Sequence, residues 1–243
     1  MIEQSSPSPR SAGGGLGRGA LTSGPVMRSA AHRSHTDLGA TFERRGAWEV
    51  PASYGSEQAE SEAIRSGLAV ADISARGKLH LSGAVDSLLS RMAGADVEPM
   101  RTAAITSGGT VARVARDLAL ALFEPSAETD ALAAIEAELT PDTMATSVTS
   151  AISGFLVAGP MLNQLFARSM TVNVEEIQSG RCLAVRWAQI PAIMVVSTPA
   201  APLVEMYVGS EYGRYAWRTL LELSHRLGGI PVGWKSLESA GWR

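Results

Sequence analysis

The sequence predicts an α+β domain, and three observations lead there. Short apolar runs of strand length recur along the chain, alternating in residues 110–115 and 118–123 and continuing in 203–208. Between them lie segments whose apolar residues return at steps of three and four, the mark of half-buried helices. The two kinds of segment do not alternate strictly, which favours antiparallel pairing over a doubly wound parallel sheet. With 243 residues, 45% of them apolar and 19% charged, the chain can bury a sizeable core.

Taken in order, residues 1–26 read as a disordered tail. Fourteen of these 26 are Gly, Ser or Pro, none is aromatic, and the run Gly13 to Gly19 has no hydrophobic period. That run lacks the Gly-Lys-Ser/Thr ending of a phosphate loop. Met27 is an alternative start, an organellar leader is another reading, and residues 27–243 form the expected domain. A helix is expected over 56–66, capped by Ser56, with Ala59, Ala63 and Ile64 inward. Strands follow over 70–74 and 78–82, then a helix over 83–93 with Val85, Leu88, Leu89 and Met92 on one face. Residues 110–115 and 118–123 alternate as strands, and 128–139 form an amphipathic helix through Leu132, Ile135 and Leu139. A strand over 155–158 runs into Gly159-Pro160 and a helix carrying Met161, Leu165 and Phe166. Strands over 183–187, 193–197 and 203–208 precede a long helix from Ser210, with Tyr212, Ala216, Leu220, Leu223 and Leu227 in register. Gly228-Gly229 stops it.

Composition excludes several classes. Twenty-one basic residues against 24 acidic ones give a net charge of -3, without the basic excess of a nucleic-acid binder. Cys182 is the single cysteine, so there is no internal disulfide and no thiolate metal cluster. The sequence has no apolar run of the roughly 20 residues a membrane span needs, and a cytoplasmic location is expected. Only Lys78 and Lys235 could carry amine chemistry; the other basic residues are arginines, which do not deprotonate.

Candidate catalytic groups are sparse. His32 and His35 stand three apart, and no HExxH motif accompanies them. His80 alternates with Leu79 and Leu81 as an exposed strand position, and His225 falls on the solvent side of its helix. No metal site is expected. Ser107-Gly108-Gly109 reads as a turn, and Cys182 as a packing residue in an apolar strand. Asp72 and Asp96 each interrupt an apolar stretch, where a carboxylate most often caps backbone N–H groups. The residues alone give no catalytic constellation.

Read together, the segments resemble the folate-binding part of the aminomethyltransferase family, the T-protein of the glycine cleavage system, and the related sarcosine oxidase and dimethylglycine dehydrogenase domains. The likeness is carried by His35-Thr36 with Gly39-Ala40, by Trp48, Pro51 and Tyr54-Gly55-Ser56, and by Ala63-Ile64-Arg65. It continues through Val70-Ala71-Asp72-Ile73-Ser74 with Gly77-Lys78, which is similar to "FDVSHMGK", and through Ala95-Asp96-Val97 and Gly108-Gly109. Val157-Ala158-Gly159-Pro160, Glu205-Met206-Tyr207-Val208, Trp217 and Pro231-Val232-Gly233 complete it, so that it covers about residues 30–243. The resemblance implies ferredoxin-like α/β subdomains and tetrahydrofolate as cofactor.

Departures from the family accompany the likeness. The His-Met after "DVS" is Ala75-Arg76, and the catalytic aspartate of "GGxxDD" falls on Ala112 and Arg113. The "TGYTGE" loop falls on Ser197-Thr198-Pro199-Ala200-Ala201, the Glu of "LRLE" falls on Arg243, and the family's C-terminal barrel is expected to be absent. In the family that aspartate polarises the folate amine nitrogen, which alanine cannot do. These losses imply a catalytically degenerate scaffold acting as a subunit or partner in one-carbon or amine-demethylating metabolism. Its partner, or a second copy, would dock on the surface the missing barrel leaves, with no nucleic acid or membrane involved. The alternative is an active aminomethyl or methyl transferase using Asp96 or Asp117 as its acid, and a folate-dependent regulator ranks last. For folate contact the candidates are Arg76, Asp96 and Arg113. Arg76 and Arg113 are expected as solvated strand-end charges, with an anion-accepting pocket as the other reading.

Overall fold

The computed structural model describes residues 25–170, 178–196 and 203–242. All but the last two residues of the expected tail, the 197–201 loop and Arg243 lie outside them.

The described chain opens with β1 (Met27–Arg28), α1 (His32–Asp37), β2 (Thr41–Arg45) and β3 (Trp48–Ser53). These strands form a small sheet in the order β1-β3-β2. Next come α2 (Glu57–Ser66), β4 (Ala69–Asp72), β5 (Gly77–Gly83), α3 (Asp86–Ala93), β6 (Arg101–Ala104), β7 (Thr110–Ala115), β8 (Leu118–Phe123), α4 (Glu128–Glu136) and β9 (Thr143–Ser147). The remainder is β10 (Ile152–Ala158), α5 (Leu162–Ala167), β11 (Arg181–Trp187), β12 (Ile190–Val196), β13 (Leu203–Gly209), α6 (Gly213–His225), β14 (Ile230–Pro231) and α7 (Trp234–Ser239). A short 3-10 turn, Ser210–Tyr212, leads into α6.

Strands β4 to β14 join one sheet in the order β14-β4-β10-β13-β12-β11-β6-β7-β8-β5-β9. Two ferredoxin-like halves are visible in it. The order β9-β5-β8-β7, with α3 and α4 as crossovers, is one. The order β14-β10-β13-β12, with α5 and α6, is the other, and β4 is inserted between β14 and β10. A single pair, Arg181 opposite Arg101, carries the sheet from one half to the other through β11 and β6.

Because the sheet is covered on both sides, successive residues of a strand enter different cores. On β10, Phe155 and Val157 pack with Phe166, Trp187, Trp217 and Leu220 under α5 and α6. Leu156 and Ala158, on the opposite face, join Ala71, Ile73, Tyr207, Trp234 and Trp242. A third core under α3 and α4 holds Leu79, Leu81, Leu88, Leu89, Val111 and Ala121. Each fully buried aliphatic side chain of this kind contributes about 2 kcal/mol relative to exposure.

Ser56 caps α2 as expected, its Oγ accepting the Ala59 N–H at 3.2 Å. The inward face differs by one residue: Ala59 is exposed, and Glu60 is buried instead. Polar partners decide this. The Glu60 carboxylate accepts from Ser53 Oγ at 2.8 Å, Tyr54 N at 2.7 Å, Gly233 N at 2.8 Å and Ser236 Oγ at 2.9 Å. The helix expected from Gly83 begins at Asp86, because Gly83 still pairs with Thr143 of β9. The helix from Glu128 ends at Glu136, three residues early. His80 is half-buried rather than exposed, lying between β8 and β9. Among the described residues no helix is long and apolar enough to cross a membrane.

Candidate functional site

The link from β4 to β5 threads the first core and carries a run of buried polar groups. Asp72, the last residue of β4, is 3% exposed, and its Oδ1 accepts the Ser74 N–H at 2.9 Å. This is the backbone capping expected of it. Its Oδ2 meets a partner that the sequence does not announce, His35 Nε2, at 2.7 Å. A carboxylate only accepts, so Nε2 carries the proton, and in the neutral ring Nδ1 accepts from Tyr54 Oη at 2.7 Å. His35 is fully buried, with the Trp217 ring edge-on at 4.5 Å. Burial opposes the Asp72 charge, but His35, Ser29 and Ser74 outweigh it and hold the carboxyl below its ordinary pKa. Trp234 Nε1 donates to the Asp72 carbonyl at 2.9 Å and ties α7 to the same point.

Four residues further on, Arg76 is 5% exposed. Burial is possible because its guanidinium ion-pairs with Glu205 of β13. The other Glu205 oxygen accepts from Tyr207 Oη, and Oε1 also accepts from Trp242 Nε1 at 3.2 Å. Burial and then Glu205 raise the Tyr207 phenol well above its usual pKa, so it stays a donor. Gly154 of β10 leaves room for that ring; a Cβ there would lie 2.9 Å from Tyr207 Cε1. Lys78 is completely buried, with Nζ donating to the carbonyls of Ser74 at 2.8 Å and Arg76 at 2.6 Å. Burial lowers its pKa to about 7.

Arg113 is also buried, at 6% exposure, so neither arginine is the solvated strand-end charge expected. The two do not meet. Ala112, fully buried, belongs to the first core with Ala75, Cys182 and Trp242, whereas Arg113 serves the β7–β8 hairpin. Its Nη1 donates to the Val97 carbonyl at 2.8 Å, and Nη2 pairs with Asp86 at 2.7 Å. Asp96 is exposed, accepts from Ser90 Oγ at 2.6 Å, and lines an open 490 Å³ groove with Arg113 and Glu98. Asp117 is exposed in the hairpin turn. Of the candidate contacts, then, Asp96 and Arg113 share a groove, while Arg76 stands apart in the core.

The interior is a network of fixed donors and acceptors rather than an exposed nucleophile with its base. Burial pushes the Cys182 thiol up to about 12, leaving it inert. Among the described residues no cluster of His, Cys, Asp or Glu could hold a metal ion. An apolar groove of 650 Å³ opens over Tyr207, bordered by Ile152, Ala184, Arg186, Pro191 and Ile193. His35, Tyr54 and Glu205 enter the sequence reading without their roles in this network, and Glu60 is absent from it. The two buried acids sit at ordinary helix and strand positions, with partners both near, such as Ser53 and Tyr207, and far, such as Gly233 and Arg76.

Comparison with known proteins agrees with this architecture. The profile of the GCVT N-terminal domain family matches residues 31–241. An aminomethyltransferase of Bacillus mycoides (strain KBAB4) is 25% identical over 205 residues, which cover 77% of this chain and 56% of the relative. One from Corynebacterium jeikeium (strain K411) is 36% identical over 58 residues, 24% of this chain and 15% of that one. Among solved structures, the glycine cleavage system aminomethyltransferase T from Bartonella henselae superimposes with a TM-score of 0.75 at 17% identity, covering 88% of this chain and 62% of that one. A chain of the heterotetrameric sarcosine oxidase from Corynebacterium sp. U-96 gives 0.59 at 14% identity, covering 72% of this chain and 93% of that one. The chain spans little more than half the length of the first relative. The profile takes in nearly all the described elements, and the chain belongs to the GCVT N-terminal domain family.

Proposed function

We propose that this protein is a catalytically silent member of the aminomethyltransferase fold, a cytoplasmic subunit or partner in one-carbon or amine-demethylating metabolism. Residues 27–243 would form its domain and residues 1–26 a tail outside it. The observation that carries the reading is Ala112. The position where the resemblance expects the catalytic acid holds a methyl group packed in the first core. An acid–base or electrostatic role needs a carboxylate beside the reacting nitrogen. Arg76, where the family's loop has methionine, is neutralised by Glu205 and offers no free charge to a folate. Two observations support a subunit role. The apolar groove over Tyr207 is bordered by exposed Ala184 and Pro191, and nearly a whole chain of a heterotetrameric oxidase superimposes on this fold.

The alternative, a transferase working through Asp96 or Asp117, has the family likeness behind it, but both carboxylates are exposed and outside the core. Calorimetric titration of the full chain with tetrahydrofolate, joined to an assay of aminomethyl transfer, tests the choice. The expected result is no binding heat at high ligand concentration and no transfer. Micromolar binding with turnover that Asp96→Asn or Asp117→Asn abolishes would establish the alternative. Purification from the native source as a lone monomer would count against the subunit role.

A further inference from the structure

Three arginines stand directly opposite one another on neighbouring strands where the two halves of the sheet meet. Arg181 of β11 is in register with Arg101 of β6, and Arg101 with Arg113 of β7. Residues so placed project from the same face, with Cβ atoms about 4.5–5.5 Å apart, and like charges there repel. The Arg101–Arg181 pair has the closer spacing. The bonds that flank it, Cys182 N–H to the Met100 carbonyl at 3.1 Å and Thr102 N–H to the Gly180 carbonyl at 3.0 Å, make it a non-hydrogen-bonded pair.

One of the three is neutralised. Arg113 is buried and pairs with Asp86 at 2.7 Å. Arg101 is exposed and Arg181 half-buried, and among the described residues neither has an ion pair. Arg181 Nε is enclosed and makes no hydrogen bond among them. A buried N–H without an acceptor is rare in a folded protein, and a bound ion is one of the things that accounts for it. The guanidinium keeps its charge at any ordinary pH, and its planar fork of N–H donors matches phosphate oxygens two at a time. Two such cations side by side balance a phosphate group, which carries about -1.5 to -2 near neutral pH, better than they balance a carboxylate.

We propose that Arg101 and Arg181 form a binding site for a phosphate group, free or as a monoester, at the joint between the two halves of the sheet. The anion relieves the repulsion across the pair, accepts from Arg181 Nε and ties β6 to β11 through their side chains. Ala112 is opposite Thr102, whereas Arg113 and Arg101 are one residue along their strands and project from the other face. The site therefore lies on the side of the sheet away from the Ala112 interior, and it does not depend on whether that interior is silent.

Titration of the full chain with inorganic phosphate, followed by calorimetry and by thermal melting, tests the site, with chloride at matched ionic strength as the blank. Saturable binding is expected, with a melting midpoint that rises with phosphate, because only the folded chain holds the pair in register. Arg101→Gln, at an exposed position, should weaken binding about ten-fold or more, and Arg181→Gln likewise. Arg186→Gln, on the same strand as Arg181 but outside the pair, should bind as the unsubstituted chain does. The effect of Arg101→Gln on the midpoint should also change sign. In dilute phosphate-free buffer the variant melts above the unsubstituted chain, since one of two like charges is gone, and in saturating phosphate it melts below. Glycerol 3-phosphate separates the sources: tighter binding than the free ion assigns a phosphomonoester, and equal or weaker binding assigns phosphate itself. No saturable binding at tens of millimolar, or binding that Arg101→Gln and Arg181→Gln both leave intact, would overturn the proposal. So would acetate binding as tightly as phosphate.

Discussion

Glu60 accepts the backbone N–H of Gly233 at 2.8 Å across 173 positions of sequence, and the same oxygen takes the Ser236 hydroxyl at 2.9 Å. One carboxylate thus joins α2 to the start of α7, while its other oxygen holds the end of β3 through Ser53 and Tyr54. Glu60→Ala leaves four donors without an acceptor, and each buried orphan costs roughly 1–3 kcal/mol. Urea unfolding should register a loss of at least about 3 kcal/mol, with Glu60→Gln milder because its carbonyl oxygen still accepts.

The Arg76–Glu205 pair is nearly fully buried, so removing one member exposes the other's desolvation. Arg76→Met is expected to cost about 3–5 kcal/mol, and the double variant Arg76→Met with Glu205→Leu much less than the two single costs together. A double-mutant cycle by chemical denaturation measures this; additivity within about 0.5 kcal/mol would contradict it.

Lys78 gives stability a pH dependence with a definite sign. Burial lowers its pKa to about 7 from an ordinary 10.5, so between those values the unfolded chain holds a proton that the folded chain has released. Stability therefore rises with pH above about 7 and is flat, for this group, below it. Cys182 acts in the opposite sense, because burial raises its thiol to about 12 and the unfolded chain ionises first near 9. Denaturation midpoints taken between pH 6 and about 8.5 separate the two. The unsubstituted chain should gain stability over that range, and Lys78→Met should lose the gain.

Returning a carboxylate to the family's position does not rebuild the chemistry. Ala112 is fully buried, opposite Leu120 and Thr102 on the neighbouring strands. Ala112→Asp should lower stability by about 2–4 kcal/mol, the cost of a buried polar group without a partner, and should confer no transfer activity. Asp96→Ala, at an exposed site, should change stability by no more than about 0.5 kcal/mol.

Much of the fold was legible because its signals are local. The Ser56 cap, the alternation in β7 and β8 and the face formed by Val85, Leu88, Leu89 and Met92 each lie within a dozen residues, and the structure reproduces them. The β2–β3 hairpin was missed because Glu43, Arg44 and Arg45 obscure its alternation; Arg45 is half-buried through Glu43, Glu238 and the face of Trp234. The polar interior was illegible for a different reason. His35 looks unpartnered along the sequence, and its acceptor is 37 positions away. Arg76 and Arg113 resemble surface charges until Glu205, 129 positions on, and the Val97 carbonyl supply their partners.

The closure of α7 onto the first strands and the β4–β5 link also sets how the chain folds. Trp234 bonds Asp72 across 162 positions and Arg45 pairs with Glu238 across 193, so completing the first core brings residues near both ends of the described chain together. Closing loops of that length costs chain entropy before the long-range contacts form, which predicts a high contact order. Refolding should be slow, and a fragment ending before Ile230 should collapse with its first core unfilled and its apolar faces open to aggregation.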